Sequence, residues 1–137
     1  AAKGAKLGIP EVKVGLFAAA GGLLRLPSRV GYGRAMEMAV TGDPITAEEG
    51  AQSGLIARLS EPGEAVADAM QLAERVARNA PLAVAASKQL IRATQGATEG
   101  EFWASQKPFE ISVFTSEDAK EGPKAFAEKR DPDWTGS

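Results

Sequence analysis

Lys6-Leu7-Gly8-Ile9-Pro10-Glu11-Val12-Lys13-Val14-Gly15-Leu16, followed by Ala18-Ala19-Ala20-Gly21-Gly22, is the stretch on which the fold turns. Apolar residues alternate through it, with Leu7 and Ile9 on one phase and Val12, Val14 and Leu16 on the other, which is the period of extended chain. Pro10 separates the phases, because it lacks an N–H and restricts the residue before it. The pattern therefore predicts two short extended pieces joined at Pro10-Glu11, with Glu11 at the bend. The glycine pair then delivers the chain into a short helix at Leu23-Leu24-Arg25-Leu26-Pro27.

Downstream, Tyr32 to Val40 reads as a helix stopped by Thr41-Gly42-Asp43-Pro44. Thr46-Ala47-Glu48-Glu49 is a capping box that starts another, ending near Ser53-Gly54, and Leu55 to Leu59 reads as a short strand. Val66, Ala69, Met70, Ala73, Val76 and Ala77 recur at helical spacing. Pro81 opens the next helix, to about Thr94, at the first position where its missing N–H costs nothing. Residues 98–114 carry half of the aromatics, with Pro108 predicting a kink or break. Ser116-Glu117-Asp118 caps a last helix to Lys129-Arg130, acidic at its start and basic at its end as the macrodipole prefers. Strand signals end at Leu59, in the first half of the chain, and so few strands need edges supplied by other chain, upstream sequence or a neighbouring subunit.

The whole is 137 residues, room for about one domain at roughly 100–200 residues each. With 44% hydrophobic and 25% charged residues the chain has a globular composition, and a net charge of -2 lacks the basic field that nucleic acid requires. There is no cysteine and no histidine, so disulfides, thiolate nucleophiles, His-based triads and Cys/His metal sites are excluded; no metal is expected, and acid/base work falls to carboxylates, Lys or Tyr. The first residues do not resemble a signal peptide, and no apolar run approaches the roughly 20 residues that span a bilayer. The expectation is a cytoplasmic protein with no membrane or nucleic-acid partner. The 26 alanines predict a thin core of closely packed helices that a larger assembly would support.

Glu11, flanked by apolar residues at a strand break, is the first candidate for chemistry, since a partly desolvated carboxyl suits a general acid at neutral pH; an exposed turn glutamate is the plainer alternative. Gly21-Gly22 can present backbone N–H groups to an anion, but it matches no phosphate-loop pattern and equally fits a plain turn. Lys120, Lys124, Lys129 and Arg130 form a basic rim that can meet phosphates, yet they alternate with Glu117, Asp118, Glu121 and Glu128 as on a solvated helix face. The Trp103, Phe109 and Phe114 set reads as core, or as a wall for an acyl chain.

The opening stretch, with Arg25-Leu26-Pro27, Ala35-Met36-Glu37-Met38-Ala39, Thr41-Gly42-Asp43, Ala47-Glu48-Glu49, Gly54-Leu55-Ile56, Ser87-Lys88-Gln89-Leu90 and Ala125-Phe126-Ala127-Glu128-Lys129-Arg130, resembles the enoyl-CoA hydratase/isomerase (crotonase) family. The resemblance covers essentially the whole chain but only the second half of that family. It implies an α/β fold, a crotonase-like ββα spiral of which this is the helix-rich second half: 1–62 as the end of the spiral core, and 63–137 as a helical oligomerisation and lid region. The upstream half of the same protein would supply the oxyanion hole and the first catalytic glutamate, and homo-trimers or hexamers are implied as the assembly. On this resemblance Glu11 falls on the second catalytic carboxylate, and Ala19 on a position whose N–H helps place water. Ala19 stands where hydratases often have glycine, and Ala18 where they often have proline. Phe126 and Lys129 match positions near the adenine and phosphates of CoA. The implied reaction is hydration of an enoyl-CoA thioester, which is substrate rather than cofactor. Enoyl-CoA isomerisation, another CoA reaction on the same fold, or a non-catalytic truncated assembly or CoA-binding module are the alternatives.

Overall fold

The computed structural model describes residues 1–137, which form two compact units, Ala1–Met70 and Gln71–Ser137. In the first, β1 (Lys6–Leu7) pairs antiparallel with β2 (Ile45–Thr46), Lys6 opposite Thr46 and Leu7 opposite Ile45. Ala2 bridges Ser60 in parallel. Between the strands lie a 3-10 helix (Pro10–Val14), α1 (Gly22–Arg25), α2 (Pro27–Val30) and α3 (Tyr32–Thr41). β2 runs straight into α4 (Ala47–Gln52), capped as the sequence predicts: the Thr46 hydroxyl accepts from the Glu49 N–H at 3.2 Å, and the Glu49 carboxylate accepts from the Thr46 N–H at 2.8 Å.

Two expected strands do not form. The Val12–Leu16 piece is instead the 3-10 helix and its exit, because Pro10 at the first helical position has its φ already set for a helical turn, and Gly15, at φ 76°, closes that turn in the left-handed region. Val14 and Leu16 are accordingly exposed rather than on a buried sheet face. Leu55–Leu59 has no neighbouring strand to form a ladder with; the Ile56 N–H donates to the Gly50 carbonyl at 3.0 Å, which folds the segment back on α4. Gly50 allows this close approach, since a Cβ would stand 3.0 Å from Ile56 Cγ1 and 3.1 Å from Leu7 Cδ1 and both side chains would have to shift.

The core of this unit is built from Ala18, Ala35, Met38, Ile45 and Ala47. With small side chains at most of these positions, little area is buried per residue. Phe17, Leu24, Tyr32 and Val40 stay exposed.

α5 (Ala65–Ala77) leads into the second unit, where α6 (Pro81–Ala93) packs on α7 (Glu99–Phe114) and α7 on α8 (Glu117–Glu128). Pro108 does not break α7, although it removes one helix hydrogen bond. The expected packing of the α7 aromatics is only partly present within the chain: Phe102 and Phe109 are half-buried, but Trp103 is 55% and Phe114 71% exposed. α8 stops at Glu128, short of the expected Lys129-Arg130, because Lys129 takes the left-handed conformation (φ 54°) as its C-cap.

The segment after α8 returns along it. Asp118, 4% exposed, accepts the N–H groups of Thr135 at 2.8 Å and Gly136 at 3.2 Å. The Trp134 indole lies over Gly122, where a Cβ would be 3.2 Å from the ring, and its N–H donates to the Arg78 carbonyl at 2.8 Å.

Candidate functional site

Glu11 is the second residue of the 3-10 helix, and its carbonyl accepts from the Leu16 N–H at 3.0 Å, so the backbone on both sides of it is fixed. Its side chain reaches a cavity of about 390 Å³ walled by apolar groups, among them Ile9, Val12, Phe17, Leu26, Tyr32 and Met36. A second opening of about 400 Å³ shares Ile9, Glu11, Ala18 and Leu26 and adds Gly21, Gly22, Arg25, Arg29 and Leu55. Glu11 therefore stands where two openings of the same unit meet.

One carboxylate oxygen, Glu11 Oε2, is buried with no hydrogen-bond partner. Buried polar atoms are nearly always paired, so this oxygen retains capacity that a water or a substrate group can meet. Nor does a neighbouring cation occupy it: Lys13, two residues on, is drawn to Asp43, Nζ to Oδ1 2.6 Å. Gly42 leaves room for the Lys13 stem, which a Cβ there would meet at 3.0 Å. The arrangement is a carboxylate free of ion pairing at an apolar cavity, within reach of any group bound there.

Ala18 is buried and lines both openings, whereas Ala19 is exposed and lines neither. The Ala19 N–H donates to the Phe17 carbonyl at 2.8 Å, so this chain already engages it. Phe126 and Lys129 belong to the other unit. Phe126 is 87% exposed. Within the basic rim, Lys120 pairs with Glu117 at 2.6 Å, and Arg130 holds Glu121 through both guanidinium nitrogens and Glu128 through Nε. The Arg130 hydrogen bonds, joined by the Asp133 N–H, hold the Glu121 carboxyl down at about 2, and the same two carboxylates raise Arg130. Lys124 and Lys129 make no ion pair, which leaves their charges for an external anion.

The sequence did not single out Arg25, Arg29, Tyr32 or Met36 as wall residues. For two of them a signal was available: Tyr32, Met36 and Val40 recur every four residues on α3, one face of a helix, and all three line the apolar cavity. No group of three or more His, Cys, Asp or Glu side chains is placed to hold a metal ion, and no helix is long and apolar enough to cross a membrane.

Residues 1–137 match the family model described as enoyl-CoA hydratase/isomerase. Over 134 residues the chain is 41% identical to "Enoyl-CoA hydratase EchA19" of Mycobacterium tuberculosis, covering 98% of this chain and 50% of that protein. It is 40% identical to "Carnitinyl-CoA dehydratase" of Salmonella arizonae over 136 residues, 96% of this chain and 52% of the relative. A crystal structure of an enoyl-CoA hydratase from Mycobacterium tuberculosis H37Rv superimposes with a TM-score of 0.94 at 50% identity, covering 99% of this chain and 54% of the other. That of EchA1 from Mycobacterium marinum gives 0.95 at 50% identity, with the same coverage. The chain thus spans about half the length of the relatives it matches.

Proposed function

Because the chain belongs to the enoyl-CoA hydratase/isomerase family, as the helix-rich C-terminal half of the crotonase fold, we propose that it carries the second acid/base carboxylate of an enoyl-CoA hydratase. The upstream half of the protein completes the site. The observation that carries the reading is the Glu11 carboxylate, with one oxygen unpartnered, at an apolar cavity. Water adds across the double bond as hydroxyl to the β-carbon and proton to the α-carbon, and Glu11 handles the α-proton. The charge that develops on the thioester oxygen is met by the oxyanion hole of the upstream half. Relatives named for hydrating and for dehydrating CoA thioesters both support this class, since dehydration is the same proton transfer run backwards.

The exposed apolar residues around the cavity mouth, Phe17, Leu23, Tyr32 and Val40, are the surface that the upstream half covers. The exposed aromatics of α7 lie on the helical region that would join subunits in a trimer or hexamer. A second reading, an enoyl-CoA isomerase, is favoured by the engaged N–H of Ala19: a proton passed between C2 and C4 needs no water held there. An enoyl-CoA incubated with the protein, its upstream half present, is expected to lose its conjugated-thioester absorbance and yield the 3-hydroxyacyl thioester. Recovery of a shifted double bond without added water would overturn hydration in favour of isomerisation, and no turnover would leave a CoA-binding module.

Lys129 and Phe126 are proposed to meet the CoA phosphates and adenine. Lys129→Ala is expected to raise KM several-fold at low ionic strength with kcat unchanged, because a contact remote from the reacting carbons contributes uniform binding. The rise should shrink as salt screens the charge. A KM identical to wild type at low salt would place Lys129 on a solvated surface.

A further inference from the structure

Arg25 is a cation at the Glu11 site without a carboxylate partner. It lines the second opening together with Glu11, yet it enters no ion pair. Its one hydrogen bond runs back along the chain, Nη1 to the Ala20 carbonyl at 3.3 Å. That path crosses Gly21, where an added Cβ would overlap Nη1 and stand 3.1 Å from Cζ. Gly21 also sits at φ +90°, so the turn needs glycine for its backbone conformation, and the missing Cβ lets the guanidinium lie across it.

The loop clasped in this way is the one that walls Glu11. Ala18, at one end, is buried and lines both openings. At the other end, Gly22 fits so closely that a Cβ would be 3.3 Å from Ala18 Cβ and 3.6 Å from Ile9 Cγ2. Ile9 immediately precedes the 3-10 helix that carries Glu11. A path of contacts therefore runs from the exposed Arg25 guanidinium through Ala20 and Gly21 to Ala18 and Gly22, and from these to Ile9 and the Glu11 turn.

We propose that Arg25 is a positioning residue for Glu11: by holding the Ala20 carbonyl across Gly21 it fixes the Ala18–Gly22 loop against the turn that aims the carboxylate. The proposal rests on the reading of Glu11 as the proton carrier. Small misplacements of a reacting group cost rate steeply while leaving remote binding contacts untouched, up to about 10²-fold for 1 Å. The effect belongs in kcat.

The test measures kcat, KM and Tm with the upstream half present, for Arg25→Met, Arg25→Lys and Gly21→Ala, each also in a Glu11→Gln background. Arg25→Met is expected to lower kcat about 10-fold with KM within about twofold and Tm nearly unchanged. Arg25→Lys keeps a donor for the Ala20 carbonyl and is expected to recover most of the rate. Gly21→Ala both displaces the guanidinium and strains the turn at φ +90°, so it is expected to lower kcat at least as far as Arg25→Met and to lower Tm as well, while Arg25→Met should add little to Glu11→Gln, as for residues acting in one chain of contacts. Unchanged kcat in Arg25→Met, or a raised KM with kcat intact, would overturn the proposal, the latter making Arg25 a substrate contact. So would a rate loss in Arg25→Met that only follows a fall in its Tm. If Glu11→Gln itself retains full turnover the reading of Glu11 fails; if Glu11→Gln is inactive while Arg25→Met is not, only the role of Arg25 fails.

Discussion

Glu11→Gln is expected to lose about 10²–10⁴-fold in turnover, the contribution of one positioned acid or base, while substrate affinity stays close to wild type. The amide matches the carboxylate in size and keeps one accepting oxygen, so the packing of the 3-10 helix and the apolar wall is preserved. What it loses is the capacity to take up and release a proton at neutral pH. Because Lys13 is held by Asp43 and no cation pairs with Glu11, the substitution breaks no ion pair that would confuse the result. Steady-state kinetics with the upstream half present, beside a circular-dichroism check of the fold, measures it. Wild-type turnover in the folded variant would return Glu11 to an ordinary turn carboxylate.

The second large effect is structural. Asp118→Ala is expected to destabilise the Gln71–Ser137 unit by about 2–3 kcal/mol, since a buried carboxylate that accepts several backbone N–H groups gives charge-assisted hydrogen bonds and its loss strands those donors. Asp118 is buried in the first turn of α8, which Ser116 caps, and binds Thr135 and Gly136, so it ties the returning segment down on the helix. Chemical denaturation should show the loss, and amide hydrogen exchange should localise it, with Thr135 and Gly136 losing protection first. Unchanged stability and unchanged protection at those two amides would mean that the segment is held by its other contacts, Trp134 over Gly122, the Asp133 N–H on Glu121 and the Glu117 N–H on the Ser137 carbonyl.

The helices were legible because each carries its own local instructions. Thr46 and Glu49 specify a start through reciprocal hydrogen bonds, Gly42 a stop through its left-handed φ of 67°, and Pro81 a first turn. Strands carry no such local closure. Val12-Lys13-Val14 alternates as a strand does, but alternation only states which residues share a side, and a strand exists only where another backbone accepts its hydrogen bonds. The Pro10 start and Gly15 stop decided that segment. The same gap explains Leu55–Leu59, whose apolar run has no ladder to join.

At the candidate site, the apolar flanks of Glu11 left a turn carboxylate as the plainer alternative and the family resemblance pointed to the residue, whereas nothing in the sequence pointed to Arg25 as a neighbour of Glu11. The reach of Arg25 to Ala20 depends on the left-handed turn at Gly21, a three-dimensional fact that no spacing of residues announces. Ala19 shows the converse. Its place in the motif says nothing of whether its N–H is free, and the turn to Phe17 engages it.

The central claim, that this half of the protein brings the proton to the α-carbon of an enoyl thioester, is tested most directly by running the reaction in D₂O with the upstream half present and locating the label in the product. The account predicts a 3-hydroxyacyl thioester carrying solvent deuterium at the α-carbon, formed by the wild type and nearly abolished by Glu11→Gln. A hydroxylated product formed equally well by the Gln variant, or a labelled product that has gained no hydroxyl, would contradict it.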